Sequence, residues 1–139
     1  MASFVKFEAF SEHLAEQVHK LDTHTLKVYL SNTAPDVAAD AVMADLAEIS
    51  AGNGYTAGGA DTANNTSRSG GTTSVTGTDI VWTASGGTIG PFRYAVLYND
   101  DPTSPADPLI GYWDYGSAVT LNSGETFTVD FGSSMFTIA

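Results

Sequence analysis

Six apolar residues recur near the N-terminus at the spacing of a helix. Placed at 100° per residue, they fall within an arc of about 120°, the width of one core-facing stripe. The stripe consists of Phe4, Phe7, Phe10, Leu14, Val18 and Leu21. This pattern predicts a helix over residues 4–20, with Ser3 as its cap, in an N-terminal segment 1–21 that precedes a β region over residues 25–139.

Beyond this segment the period of the apolar positions changes to two. Leu26, Val28 and Leu30 alternate with more polar neighbours, which predicts a strand with one buried face, ended by Pro35. Shorter runs of strand-forming residues follow, separated by Gly, Pro and Asn. We predict further strands over residues 80–83, 92–99, 109–115, 118–121, 126–131 and 135–138.

Two stretches between these strands carry weaker signals. Residues 36–50 are rich in Ala and Asp and predict a short helix or an irregular turn, whereas residues 51–79 are rich in Gly, Thr and Ser and predict long surface loops with at most one weak strand. The whole pattern predicts a mainly β fold in a single domain. We expect an antiparallel sandwich or a jelly roll with an N-terminal amphipathic α-helix.

Composition and charge exclude several functional classes. The 139 residues include sixteen acidic and five basic residues, for a formal net charge of −11. Such a charge opposes DNA, RNA and anionic lipid, which need clustered Lys or Arg, so we expect neither a nucleic-acid nor a membrane partner. The chain has no cysteine and lacks the apolar core of a signal peptide, which predicts synthesis in a cytoplasm.

Candidate chemistry is sparse. On the predicted helix, Glu12, Glu16 and His19 share a polar face and could converge on a divalent ion, but a solvated face explains them more simply. Four aspartates around one proline-rich loop lack the spacing of a calcium-binding loop, and turn formation accounts for them. They are Asp100, Asp101, Asp107 and Asp114. We therefore expect no catalytic residue, metal or cofactor, and a protein that is not an enzyme.

Aromatic residues are the remaining resource for binding. Strand alternation places Trp113 and Tyr115 on one face of the 109–115 strand and Tyr112 on the other, so both faces carry large rings. One face should meet the core, and the other should be covered by the helix or by a neighbouring chain. The candidate interface residues are Phe4, Phe7, Tyr112 and Trp113.

Several longer motifs together resemble a protein family. They are Ala51-Gly52-Asn53-Gly54-Tyr55-Thr56-Ala57-Gly58-Gly59, Trp82-Thr83-Ala84-Ser85-Gly86-Gly87, Pro91-Phe92-Arg93-Tyr94-Ala95-Val96-Leu97-Tyr98-Asn99-Asp100, Leu109-Ile110-Gly111-Tyr112 and Asp114-Tyr115-Gly116. In this order, from the N-terminal segment to the last strand, they resemble short proteins that tailed bacteriophages encode among their virion genes. No single motif marks a chemistry.

The resemblance implies a structural component of the virion. The leading expectation is a capsid decoration or cement protein on the outside of the head, with the major capsid protein as partner and a homotrimer as its assembly. A tail or head–tail connector component is an alternative. From the residues alone, a carbohydrate-binding adhesion module that uses Trp82, Trp113 or nearby tyrosines is a further alternative.

Overall fold

The computed structural model describes residues 2–139 and contains ten strands and one α-helix within that range. The single α-helix, α1, is short and lies between the first two strands. The elements are β1 (Phe4–Lys6), α1 (Glu8–Ala15), β2 (Leu26–Ser31), β3 (Ala60–Asp61), β4 (Asn65–Ser69), β5 (Thr72–Thr76), β6 (Ile80–Thr83), β7 (Ile89–Asn99), β8 (Leu109–Leu121), β9 (Thr126–Val129) and β10 (Phe136–Ile138).

All strand pairs are antiparallel, and they form three sheets. The largest sheet has the order β1-β8-β7-β2-β3; a second has the order β10-β5-β4, and β6 and β9 form a two-stranded sheet. The two smaller sheets supply Val75, Trp82, Val129 and Phe136 to one apolar cluster with the inner face of the large sheet. The mainly β, antiparallel sandwich with a short N-terminal helix is therefore confirmed.

The outer face of the large sheet also carries a core. Tyr29, Val96 and Tyr98 on this face are almost fully buried, and they pack with Leu46 from the segment that follows β2. The Tyr29 hydroxyl donates a 3.0 Å hydrogen bond to the Leu46 carbonyl. This segment is irregular apart from a 3₁₀ turn over Met43–Asp45. The rings on the outer face of this sheet are thus covered by the loop that follows β2, while Phe10 of α1 belongs to the inner-face cluster.

The predicted helix over residues 4–20 is wrong in its extent. Residues Phe4–Lys6 form β1, which pairs with Gly111–Trp113 of β8, and the helix is limited to Glu8–Ala15. Gln17 has a φ of 64°, a left-handed conformation that is incompatible with helix continuation. The aromatic spacing arises because the N-terminal segment wraps around a sheet edge, with Phe7 in the outer-face cluster and Phe10 in the inner one.

The loop predicted over residues 51–79 is also wrong in part, because three strands, β3, β4 and β5, lie within it. The β4–β5 hairpin is rich in Ser and Thr, and Val75 is its only fully buried residue. The prediction for β6 matches its observed bounds, and those for β2, β7, β9 and β10 overlap theirs. The two runs predicted over 109–115 and 118–121 form one strand, β8, because pairing with β7 continues through them.

An aromatic groove beside a free strand edge

An open groove of about 330 Å³ lies where the two-stranded sheet meets the large sheet. Strand β9 forms one wall, and β7 and β8 form the other. Its volume lies at the lower end of the range for ligand pockets, about 300–1,000 Å³. The lining residues are Ala2, Phe92, Arg93, Tyr94, Ala95, Trp113, Tyr115, Phe127, Thr128, Val129 and Asp130.

Aromatic rings hold the shape of this groove. The Phe127 ring lies edge-on to the buried Phe92 ring, with centroids 4.8 Å apart, and edge-on to the Tyr115 ring at 5.5 Å. The Trp113 ring packs on Phe4 and Phe131, with centroid distances of 5.3 and 5.5 Å. Edge-to-face pairs of this kind stabilise one ring arrangement, so the groove is already formed in the isolated chain.

The exposure of these rings increases towards the mouth of the groove. Phe92 is 1% exposed and forms the floor, Phe127 and Trp113 are half-buried, and Tyr115 is 59% exposed at the rim. Only two other large apolar side chains in residues 2–139 are exposed, Val81 at 57% and Val5 at 37%. An exposed aromatic beside a partly covered apolar cleft is typical of a binding surface.

The charged groups of the groove make hydrogen bonds to neighbouring residues of the same chain. Arg93 donates to Asp114 through Nε at 2.8 Å and Nη2 at 3.1 Å. This bidentate contact lowers the pKa of the Asp114 carboxyl and raises the pKa of Arg93, so both groups are held in their charged forms. Asp130 accepts a hydrogen bond from the Gly132 amide at 2.9 Å. None of these residues is paired with a nucleophile.

The structure separates the four candidate interface residues. Trp113 lines the groove, and Phe4 supports it from below, stacked on Phe136 with centroids 4.9 Å apart. Tyr112 is half-buried on the opposite face of β8, against Phe7. Phe7 is 0% exposed, so its inclusion as an interface residue is wrong: it is a core residue of the outer-face cluster.

Trp82, a candidate for stacking on sugars, is 5% exposed and packs against Tyr55 inside the core. It has no face available to a ligand. Phe127 is not among the candidates from the sequence; it lies two residues before the buried Val129 on β9, so both side chains are on the same face of that strand. No pattern in the sequence indicates that the Phe127 side chain borders a groove that is open to solvent. The groove exists because β9 pairs with β6 on one side only, and this pairing is not visible in the local sequence.

The structure does not bring together the residues of the metal sites considered from the sequence. Helix α1 ends at Ala15, so Glu16 and His19 do not share a helical face with Glu12. Across residues 2–139, no group of three or more His, Cys, Asp or Glu side chains is placed to hold a metal ion. The aspartates of the proline-rich loop have separate roles: Asp100 pairs with Lys27 at 3.1 Å, and Asp101 accepts from the Thr25 amide at 3.3 Å.

None of the helices in the described part of the chain has the length and apolar character needed to cross a membrane. Comparison with known proteins adds no relative: no family model, curated protein or solved structure matches this chain.

Proposed function

We propose that this protein is a structural component of a tailed-bacteriophage virion that binds the outside of the capsid and stabilises it. The observation that carries the proposal is the aromatic groove, which offers a preformed apolar surface, with no group of metal-ligating side chains among residues 2–139. In this proposal the groove serves as a binding surface. Its partner in this proposal is the major capsid protein, and the protein is a homo-oligomer, most simply a trimer.

The net charge supports a position on the exterior of the head. A chain with a formal charge of −11 is repelled by packaged DNA inside the shell, whereas repulsion is weaker outside it because the capsid and counterions intervene. Aromatic side chains that are partly exposed in a cleft are the usual anchors of protein interfaces. The groove combines Tyr115 at its rim with Phe127 and Trp113 below it.

Capsids that lack this protein provide the direct test. We expect purified protein to bind them stoichiometrically and to increase their resistance to heat. Tyr115→Ala should weaken binding, because it removes an exposed anchor with little effect on the core. Val81→Ala is the matched control, since Val81 is 57% exposed and does not line the groove. Absence of binding by the unmodified protein would contradict the proposal.

The number of copies per virion distinguishes the head from the tail. A decoration protein should approach the copy number of the major capsid protein, whereas a connector or baseplate protein is present in only a few copies. A tail-tube protein is also abundant, so labelled antibody must locate the protein on the head. Labelling confined to the tail would replace the decoration role by the tail alternative.

A carbohydrate-binding role is the second candidate, and the exposed ring of Tyr115 beside Trp113 favours it. A glycan array tests it directly. Binding of the unmodified protein to a defined glycan, lost in Tyr115→Ala and retained in Val81→Ala, would support adhesion in place of cementing.

A further inference from the structure

We infer that the groove binds an extended polypeptide segment of the partner, which adds to the free edge of β9 as a new strand. Its apolar side chains would pack on Phe92, Phe127 and Tyr115, and a basic side chain would lie near Asp130. This inference rests on the proposed function, because it names the part of the partner that the groove takes.

The register of the two-stranded sheet shows which backbone groups of β9 face outward. Val81 pairs with Thr128, and the Ala84 amide donates to the Glu125 carbonyl at 2.9 Å. Hydrogen-bonded and non-hydrogen-bonded pairs alternate along an antiparallel ladder, so the Val81–Thr128 pair is of the second kind. The N–H and C=O of Thr128 therefore point away from β6.

This outward edge of β9 has no partner within the described chain. β6 is the only strand that pairs with β9, and no hydrogen bond within residues 2–139 uses the backbone N–H or C=O of Thr126 or Thr128. Thr128 and Asp130 line the groove, so the edge borders the same space as the aromatic rings. An unpaired edge is a template for an added strand.

The groove supplies side-chain contacts to match this edge. Successive side chains of an added strand point alternately towards the rings and towards solvent, so every second residue would meet the apolar wall. Phe127 packs on Phe92 and Tyr115, which keeps that wall in place before any partner arrives. Main-chain hydrogen bonds would provide affinity, and the ring pocket would select bulky apolar side chains.

The negative charge of the groove and of the whole chain indicates which charged residues the partner segment should carry. Of the two charged side chains that line the groove, Arg93 is already occupied by Asp114, while Asp130 has no cationic partner among residues 2–139. The chain as a whole carries a formal charge of −11. A segment with Lys or Arg beside its apolar residues complements both, and an acidic segment would be repelled.

The test uses the full-length protein and a displayed library of random linear peptides as the probe. We expect selection to enrich peptides that combine bulky apolar residues with Lys or Arg. Hydrogen exchange of the unmodified protein with a selected peptide should slow at the outward-facing amides of Thr126 and Thr128. This measurement needs no substitution, so it is independent of variant folding.

Two proline variants then test the strand edge itself. Thr128→Pro removes an outward N–H of β9 and should weaken peptide binding about tenfold or more, because one main-chain hydrogen bond is lost and strand geometry is disturbed. Val81→Pro is the matched control on the facing strand, where the N–H points away from β9, and it should leave binding within about twofold.

Each outcome separates this inference from the proposed function. Absence of enriched peptides, protection at another surface, or equal binding by Thr128→Pro and Val81→Pro would overturn strand addition, even where the protein binds capsids. Peptides that bind as expected, together with a protein that does not bind capsids, would support the groove and overturn the capsid role.

Discussion

His19 is a buried histidine whose ring lies against the side-chain amide of Asn99. Its Nδ1 lies 3.1 Å from Asn99 Nδ2, while the Asn99 Oδ1 accepts from the Asp101 amide at 3.1 Å. Since the amide nitrogen can only donate, Nδ1 must accept, and a proton there would place two donors against each other. Burial, followed by the charges of His13 and His24, lowers the pKa of His19 from 6.5 to about 4.

This shift predicts a loss of stability in mild acid. The unfolded chain takes up a proton at this histidine near pH 6.5, whereas the folded chain takes it up only near pH 4. Between these values the unfolded state binds more protons, so the free energy of unfolding falls as the pH falls, by about 3 kcal/mol in total. Urea denaturation at pH 7, 6, 5 and 4 measures the loss.

His19→Gln is the control for this pH dependence. Glutamine retains polar atoms but does not titrate, so the slope between pH 6.5 and 4 should decrease strongly even though the variant is less stable at neutral pH. Arg93 lowers the pKa of Asp114, so this carboxyl takes up its proton below the pH range of the experiment and contributes little to the slope. An unchanged slope in the variant would assign the acid sensitivity to other groups.

Tyr55 satisfies a buried backbone donor with its hydroxyl. The hydroxyl accepts from the Leu30 amide at 3.0 Å and donates to Glu48 at 2.7 Å, and both Tyr55 and Leu30 are almost fully buried. Tyr55→Phe should reduce the free energy of unfolding by about 1–3 kcal/mol, because the Leu30 N–H is left without a partner. Tyr115→Phe, at an exposed ring, should change it little; a similar loss in both variants would contradict this role.

At the scale of elements, β1 shows what periodicity can predict and what it cannot. The apolar residues at helical spacing correctly indicate an N-terminal segment that contacts the core, but Phe4 and Phe10 face the inner cluster and Phe7 faces the outer one. A stripe drawn on one helix cannot represent a segment that wraps around a sheet edge. The pairing of Phe4–Lys6 with β8 is a tertiary contact that local spacing does not contain.

The position of β1 depends on a glycine in β8. A Cβ at Gly111 would collide with the Phe4 ring and lie 2.7 Å from the Val5 carbonyl oxygen. Gly111→Ala should therefore displace β1 and reduce the free energy of unfolding by about 1–3 kcal/mol. Hydrogen exchange should accelerate at Phe4–Lys6 before it does elsewhere. Gly71→Ala, where a Cβ meets nothing within 4 Å, is the control.

The second difference between prediction and structure is the set of strands within residues 51–79, two of which are strongly polar. β2 and β6 were predicted correctly because their apolar residues alternate, whereas β4 and β5 are mostly Ser, Thr and Asn. Those two strands form because they pair with each other and because β5 also pairs with β10. Pairing across the sequence stabilises them, and no local apolar pattern reveals it.

At the scale of the whole molecule, the large sheet is buried on both faces by its own chain. The loop after β2 covers the outer face through Leu46, which is 2% exposed and packs with Tyr29 and Tyr98. The groove beside β9, by contrast, brings the exposed Tyr115 ring and the half-buried Phe127 and Trp113 rings next to an unpaired strand edge. A partner that needs a preformed apolar surface is therefore directed to β9 and not to the outer face.

The acidity of the molecule predicts that binding at this groove depends on salt. A basic peptide selected by the groove is attracted by Asp130 at short range and by the formal charge of −11 at long range. Screening acts over about 10 Å at 0.1 M salt and about 3 Å at 1 M, so affinity should fall several-fold between these concentrations. Asp130→Asn should weaken binding at low salt and flatten the salt dependence. Asp22→Asn makes the same change in net charge at an exposed aspartate outside the groove, so equal slopes for the two variants in calorimetric titrations would show that only the overall charge matters.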